Sequence, residues 1–250
     1  MKKLKTIIFR ILSLMGRVML GILSLLGIII LTIGSMYLIG TIQEKLFLPQ
    51  EYIIWIFKYP FSYLVFIYEF YIIFGFFYTL SKDFRAAVNS RVNLIKRHKT
   101  WLLVTFITLN IITIYTILYD VTVITNNKII DYSFLSAQGK EYGYRDIVKI
   151  YTGVYGRKLQ MPFAHYSRGD FYYIIQLNDG TKINLTDDGG VTDDDYTYTN
   201  DPRFIIEELD SQFVDMGIPK VSSMDNFEYS TEKLDKIYTD KIRDIILNIK

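Results

Sequence analysis

The sequence predicts a two-part protein: three transmembrane helices, then a small antiparallel sheet capped by a helix, with an amphipathic helix at the end. Three observations predict it. Charge-poor apolar stretches occupy three places in the first 119 residues, each near the roughly 20 residues that a helix needs to cross the hydrocarbon core. The charge is divided. Residues 1–119 hold 13 Lys and Arg against four acidic residues, whereas residues 120–250 hold 15 against 22, so the overall charge of +2 conceals a basic half and an acidic one. From residue 120 onward, short β-branched and aromatic runs alternate with turn residues.

The first span is expected over 18–43, a stretch without charge rich in Leu, Ile, Val and Gly. Lys2, Lys3 and Lys5 give it the look of a signal peptide, but the apolar run exceeds an h-region and no small-residue cleavage pattern closes it. It reads as a retained anchor, led by a basic amphipathic stretch over 4–17 whose Arg10 and Arg17 can reach headgroups. An interfacial stretch with Trp55 follows over 52–58, then a break at Pro60. The second span is expected over 59–80 and the third over 101–119, with Trp101 and Tyr119 at headgroup level.

Basic residues set the expected orientation. Lys2, Lys3, Lys5, Arg10 and Arg17 precede span one, and Lys82, Arg85, Arg91, Lys96, Arg97 and Lys99 lie between spans two and three. The first loop offers Lys45, with Lys58 near the next span. The positive-inside rule therefore places the N-terminus in the cytoplasm and the second half outside it. This describes a multi-pass protein of the plasma membrane.

Within the bilayer, Glu69 of span two and Asn110 of span three fall at similar depth. A protonated Glu69 bonded to Asn110 would act either as a clasp fixing helix register, worth about 1 kcal/mol, or as part of a proton or ion relay. Gly16, Gly21, Ser24, Gly27, Gly34 and Ser35 share one face of span one. That face is expected to pack on another span or on a second copy; the oligomeric state stays open.

In the polar half, 121–125 and 128–135 should form a hairpin around Asn126-Asn127, residues suited to positive φ. Strands are expected over 142–145, 147–155, 171–177 and 181–185, the last two joined by Asn178-Asp179-Gly180. Asp201 as N-cap, Pro202 in the first turn and Gly217 with Pro219 beyond the end delimit a helix. Its apolar face would be Ile205, Leu209, Phe213 and Met216.

The segments "YDVTVITNNKIIDYSFL", "YRDIVKIYTGV", "FYYIIQLNDGTKINL" and "PRFIIEELDSQFVDMG", following directly on a span, resemble the bacterial PH-like domain membrane proteins. Arg145-Asp146-Ile147 matches the "xDI" that enters a strand in that family. The resemblance covers residues 119–219. It implies a PH-like sheet or barrel capped by one helix, with binding or assembly roles rather than catalysis, and it brings no ligand residues. The abundance of Ile, Lys, Asn and Tyr fits an AT-rich bacterial genome.

Three divisions result: a transmembrane part over 1–119, a β domain over 120–219, and a linker with an amphipathic helix over 220–250. In the last, Leu234, Ile237, Tyr238, Ile242, Ile245 and Ile249 form an apolar stripe. Its partner would be the domain itself, the membrane surface, or another envelope protein. The loop over 187–201 collects Asp187, Asp188, Asp193, Asp194 and Asp195. Oxygen-rich sites suit Ca²⁺, although the spacing lacks an EF-hand ladder; a solvated acidic loop is the plainer reading. Arg157, Lys158 and Arg168 in the loop over 156–169 are candidates for contact with anionic headgroups.

The chain has no cysteine, which excludes disulfides and thiolate metal sites. Its acidic second half speaks against nucleic acid. His98 and His165 stand in no zinc-binding spacing, and no nucleophile elbow, phosphate loop or dinucleotide fingerprint is present. The expectation is a non-enzymatic membrane protein without cofactor, presenting a binding or assembly domain at the membrane surface. The alternatives are a transporter or ion-pathway subunit using Glu69, and a Ca²⁺-responsive envelope sensor.

Overall fold

A computed structural model describes residues 2–49, 51–92, 99–156, 166–187, 189–191 and 201–249. Among them, three helical stretches are long and apolar enough to cross a membrane: Gly21–Phe47, Phe61–Leu80 and Lys99–Tyr119. The chain forms two compact units, one of residues 1–41 and 64–110, the other of 42–63 and 111–250.

The first unit is helical. Helix α1 runs Lys2–Phe47, continuing the apolar span in both directions. The cis Tyr59-Pro60 bond and a 3₁₀ turn, Phe61–Leu64, precede α2, Val65–Leu80. Between spans two and three, where the sequence suggests only a basic loop, lies helix α3, Lys82–Val92. The Ser81 hydroxyl accepts from the Phe84 N–H at its start. Arg85 donates to the carbonyls of Tyr78 and Thr79, so a cation closes the negative end of α2. Helix α4 runs Lys99–Tyr119. Large apolar side chains such as Ile30, Phe70 and Leu109 stand open on these helices, as a hydrocarbon solvent requires.

The second unit contains two sheets. The first is five-stranded and the second four-stranded. Strand β1, Ile54–Phe57, comes from the connection between spans one and two. It pairs antiparallel with β2, Val121–Ile124, in the register Ile54↔Ile124 to Phe57↔Val121. On its other edge it pairs with β8, Gly189–Val191. The stretch expected to lie at the membrane interface is thus an inner strand of a sheet. Strand β3, Lys128–Ser133, and β4, Ser136–Gly143, complete that sheet. The β2–β3 turn does not use positive φ at Asn126-Asn127; among the described non-glycine residues that conformation occurs at Asn226. The Thr125 hydroxyl, in contact with the Lys128 N–H and the Asn127 side chain, forms the turn instead.

Of the strand expected over 142–145, residues 142–143 end β4, and a 3₁₀ turn, Tyr144–Asp146, takes the rest and leads into β5, Ile147–Val154. Strands β6, Phe171–Leu177, and β7, Lys182–Asn184, flank the Asn178-Asp179-Gly180 turn, where Gly180 has φ +89°. Asp201 caps α5, Pro202–Asp215, by accepting from the Arg203 N–H at 2.9 Å. Helix α5 buries Ile206, Leu209, Phe213 and Val214, leaving Met216 of the expected face exposed. The linker expected at the start of 220–250 instead holds β9, Lys220–Ser222, parallel to β5, and α6, Phe227–Thr231. Helix α7, Lys236–Leu247, follows.

The core lies between the sheets and these helices. Ile54, Ile56, Ile124 and Ile129 of the first sheet meet Ile150, Tyr173, Ile175 and Ile183 of the second, closed by Ile206, Leu209 and Phe213 of α5 and Ile242, Ile245 and Ile246 of α7. A smaller cluster, Phe47, Val121, Val123 and Ile130, covers the first sheet's other face with Tyr119 and Tyr132 beside it. Strand β2 is buried on both faces, which explains its unbroken Val/Thr/Val/Ile run.

Candidate functional site

Four polar constellations could carry function. Within the helical unit, Glu69 is buried and its carboxyl meets two hydroxyls of α1: Thr32 Oγ1 at 2.9 Å and Ser35 Oγ at 3.1 Å. Thr32 and Ser35 stand three residues apart, so they share a helix face. Each hydroxyl also lies within bonding distance of an α1 carbonyl, those of Ile28 and Thr32. The two hydroxyl protons are thus shared among four acceptors, the two carboxyl oxygens and the two α1 carbonyls. The expected Glu69–Asn110 bond is not formed. The Asn110 amide donates to the Phe106 carbonyl, and its own carbonyl accepts from Tyr68. The depth match between Glu69 and Asn110 holds no information about helix rotation, and rotation decides the partner. Of the small residues on span one, Ser35 meets Glu69, while Gly16, Gly21, Gly27 and Gly34 have open space where a Cβ would stand. Ser24 and Gly27 line an apolar crevice of about 280 Å³ with Ile72, Ile73, Phe76 and Phe77 of α2.

In the second unit, an ion cluster joins β1 to the strands following span three. Lys58 Nζ lies 3.1 Å from Asp120 Oδ1 and 3.0 Å from Asp131 Oδ1, and donates to the Tyr132 carbonyl at 2.6 Å. The three ammonium protons are thereby used. Thr122 Oγ1 donates to Asp131 as well. Burial raises the Asp120 pKa above the ordinary carboxylate value, with Lys58 opposing, and its Oδ2 makes no hydrogen bond among the described residues.

A second cluster fixes the C-terminal helix. Lys220 Nζ sits 2.5 Å from Asp210 Oδ1 and donates to the carbonyls of Ile245 and Asn248. Tyr173 donates to Asp210 Oδ1 at 2.8 Å, and the Asn248 amide to Oδ2 at 2.9 Å. The lysine and aspartate side chains are 2% and 1% exposed. Burial lowers the Lys220 pKa against the pull of Asp210 and raises that of Tyr173. With Ile242, Ile245 and Ile246 in the core, α7 finds its partner in its own unit; Ile237 and Ile249 of the expected stripe stay exposed.

The fourth feature is a cleft of about 270 Å³ lined by Asp170, Asp201, Arg203, Lys233, Phe171 and Leu234 among others. Its charges are matched internally. Arg203 pairs with Asp201 at 2.7 Å and Lys233 with Asp170 at 3.6 Å, so neither sign is offered in excess to a ligand.

The sequence-level site residues scatter. Asp187 accepts from Tyr166 at 2.6 Å and from the Asn184 amide at 2.9 Å, a network in which burial, then the bond to Asp187, raises the Tyr166 pKa. Asp188, Asp193, Asp194, Asp195, Arg157, Lys158, His98 and His165 lie outside the described residues. Among the described residues, no group of three His, Asp or Glu is placed to hold a metal ion. Arg168 is not directed only at solvent: its guanidinium lies 3.3 Å from the centre of the Tyr229 ring. Part of the presumed acidic loop is strand β8, and its glycines have a steric purpose. A Cβ on Gly189 would stand 2.0 Å from the Trp55 carbonyl, and one on Gly190 2.5 Å from the Trp55 indole nitrogen.

Sequence reasoning missed the Lys58 and Lys220 clusters. Each joins residues more than 60 positions apart or lies across helices whose docking no local pattern shows; Lys58 beside a span reads simply as a loop charge. Compared with known protein families, curated proteins and solved structures, the chain matches none.

Proposed function

We propose that this chain is a non-enzymatic multi-pass membrane protein that holds a binding or assembly module of PH-like type at the outer face of the plasma membrane. The observation that carries the reading is the place of β1. A strand from the connection between spans one and two lies beside the strand that follows span three, so both segments occupy one compartment. Three crossings satisfy that condition, because two candidate spans, those ending in α2 and α4, separate β1 from β2. The basic residues before span one and between spans two and three then favour the outer side for that compartment.

Binding rather than catalysis is favoured by the use of the buried polar groups. Lys58, Asp120 and Asp131 join strands, Lys220 and Asp210 hold a helix, and the carboxyl of Glu69 is engaged by two hydroxyls. These are structural roles, and the charges of the one polar cleft described above are mutually neutralised. Reporter fusions after Gln50, Asn89 and Lys250 test the arrangement. The reading requires an external report at Gln50 and Lys250 and a cytoplasmic one at Asn89. A cytoplasmic report at Lys250 overturns the outer placement, and opposite reports at Gln50 and Lys250 overturn the three-span arrangement itself.

A further inference from the structure

The turn joining β3 to β4 lies between Ser133 and Ser136 and consists of Phe134 and Leu135. Turns normally use Gly, Asn, Asp or Ser, each for a backbone reason; two large apolar residues here need another explanation. Leu135 is 93% exposed and Phe134 45%. A lone exposed Leu would mean little. What gives this one meaning is its neighbourhood. The Phe134 ring meets Tyr115 of α4 edge-on, with centroids 5.3 Å apart. Tyr115 in turn stacks on Tyr119 at 4.3 Å. Tyr119 and Tyr132 both contact the ring of Phe47, at the end of α1, at 5.0 and 4.7 Å. Five aromatic rings thus gather where two candidate spans end. Tyr-rich belts of this kind settle at headgroup level in membrane proteins. Tyr115 stands four residues before the end of α4, about 6 Å inward along the helix, and Phe134 reaches it.

We propose that the Phe134–Leu135 tip is a lipid-contacting finger that enters the interfacial layer of the bilayer beside the third span. The occupant is lipid because the tip is continuous with the surface of a helix whose apolar side chains, such as Ile111 and Ile114, are themselves open. The finger gives the β unit a membrane contact separate from its chain connections to the helices. The inference rests on α4 crossing the bilayer, though not on which side the β unit lies.

The chain contains no cysteine, so single labels can be placed without removing native thiols. Nitroxide labels at L135C, I107C and E141C in the full-length protein, reconstituted into phosphatidylethanolamine–phosphatidylglycerol vesicles, would be compared by collision with oxygen and with a water-soluble nickel chelate. Glu141 lies six residues from Leu135, about 20 Å along an extended chain, and is exposed with Lys128 as partner. The expected result is oxygen-dominated relaxation at L135C and I107C, and nickel-dominated relaxation at E141C. Nickel-dominated relaxation at L135C with oxygen dominance kept at I107C overturns the finger while leaving the span intact. Nickel dominance at I107C overturns the span reading instead. Immobilisation at L135C with poor access to both reagents, or spin–spin broadening, identifies a protein contact and also overturns the proposal.

Discussion

Replacing Lys58 with Met would show whether the ion cluster holds β1 in its sheet. The substitution removes the ammonium while keeping most of the aliphatic stem, and it leaves Asp120 and Asp131 facing each other without a cation. Removing one partner of a fully buried pair costs about 3–5 kcal/mol. Here the side chains are 18%, 6% and 12% exposed for Lys58, Asp120 and Asp131, so partial solvation reduces the expected loss to about 2–4 kcal/mol. At roughly 2–4 °C per kcal/mol for a chain of this size, the melting temperature should fall by about 5–15 °C. The pH dependence is a sharper signature. Burial already raises the Asp120 pKa in the folded protein, so the folded state binds that proton more tightly than the unfolded state does. The resulting cost is present at neutral pH and is relieved as pH falls through the raised value towards the ordinary 3.8. Without Lys58 the relief should be larger. The Lys58→Met deficit should therefore shrink on acidification, and Asp120→Asn with Asp131→Asn should recover much of it at pH 7. Thermal unfolding in detergent can be followed by the fluorescence of Trp55, which lies in β1 itself, in a Trp101→Phe background that removes the second tryptophan. A melting temperature within 2 °C of the parent at pH 7, with an unchanged pH slope, would refute the assignment.

Two further substitutions probe the other clusters. Glu69→Gln keeps the shape of the clasp and supplies its own donors to Thr32 and Ser35, so stability should change by less than about 1 kcal/mol; Glu69→Ala should loosen α1 from α2, seen as faster proteolysis near both helices. An ion flux in vesicles that Glu69→Gln abolishes would instead assign Glu69 to a relay. Lys220→Met should cost about 3–5 kcal/mol by stranding Asp210 in the core, and adding Asp210→Asn should recover most of it. The lowered Lys220 pKa means that the unfolded state binds this proton more tightly. Parent stability should accordingly gain from this group as pH rises towards its ordinary 10.5, a gain that Lys220→Met removes. Urea midpoints between pH 8 and 9 measure it, below the range where the buried tyrosines, raised from their ordinary 10.0, begin to act in the opposite direction.

What was legible in the sequence is what local pattern determines. The three apolar stretches appear because hydrocarbon demands length and composition together. The Asn178-Asp179-Gly180 turn appears because Gly180 needs positive φ, and the start of α5 because Asp201 caps it. Strand β1 was hidden because Ile54-Trp55-Ile56-Phe57 beside a span satisfies two demands at once, those of an interfacial segment and of an inner strand. The choice is made by β2, whose residues pair with β1 across 64 (Phe57↔Val121) to 70 (Ile54↔Ile124) positions, and pairing at that separation leaves no local trace. The same holds for Glu69. Thr32 and Ser35 are ordinary polar residues of a span, and they become its partners through a helix rotation that depth alone does not set. Gly189 and Gly190 looked like loop glycines, and their purpose appears only against the backbone of Trp55.

The position of β1 also decides whether the polar half can exist alone. A fragment of residues 120–250 contains β2 and β8 but lacks the strand between them. Strand β8 then has no partner in the sheet, and β2, buried on both faces in the whole chain, acquires an open edge of the kind that templates aggregation. The core loses Ile54, Ile56 and Phe57, all buried. At roughly 1.5–3 kcal/mol for each large side chain, the loss is about 5–9 kcal/mol, as large as the whole stability of many domains. Lys58 leaves with them, so Asp120 and Asp131 lose their cation. The fragment should therefore fail to show cooperative unfolding and should aggregate on expression. Supplying residues 51–58 through a flexible linker ahead of residue 120 should restore a cooperative transition, because it returns the central strand and its lysine together. A fragment of 120–250 that unfolds cooperatively and remains monomeric without that addition would mean that β1 is dispensable. In that case the connection between spans one and two could no longer be taken as evidence that it shares a compartment with the β unit.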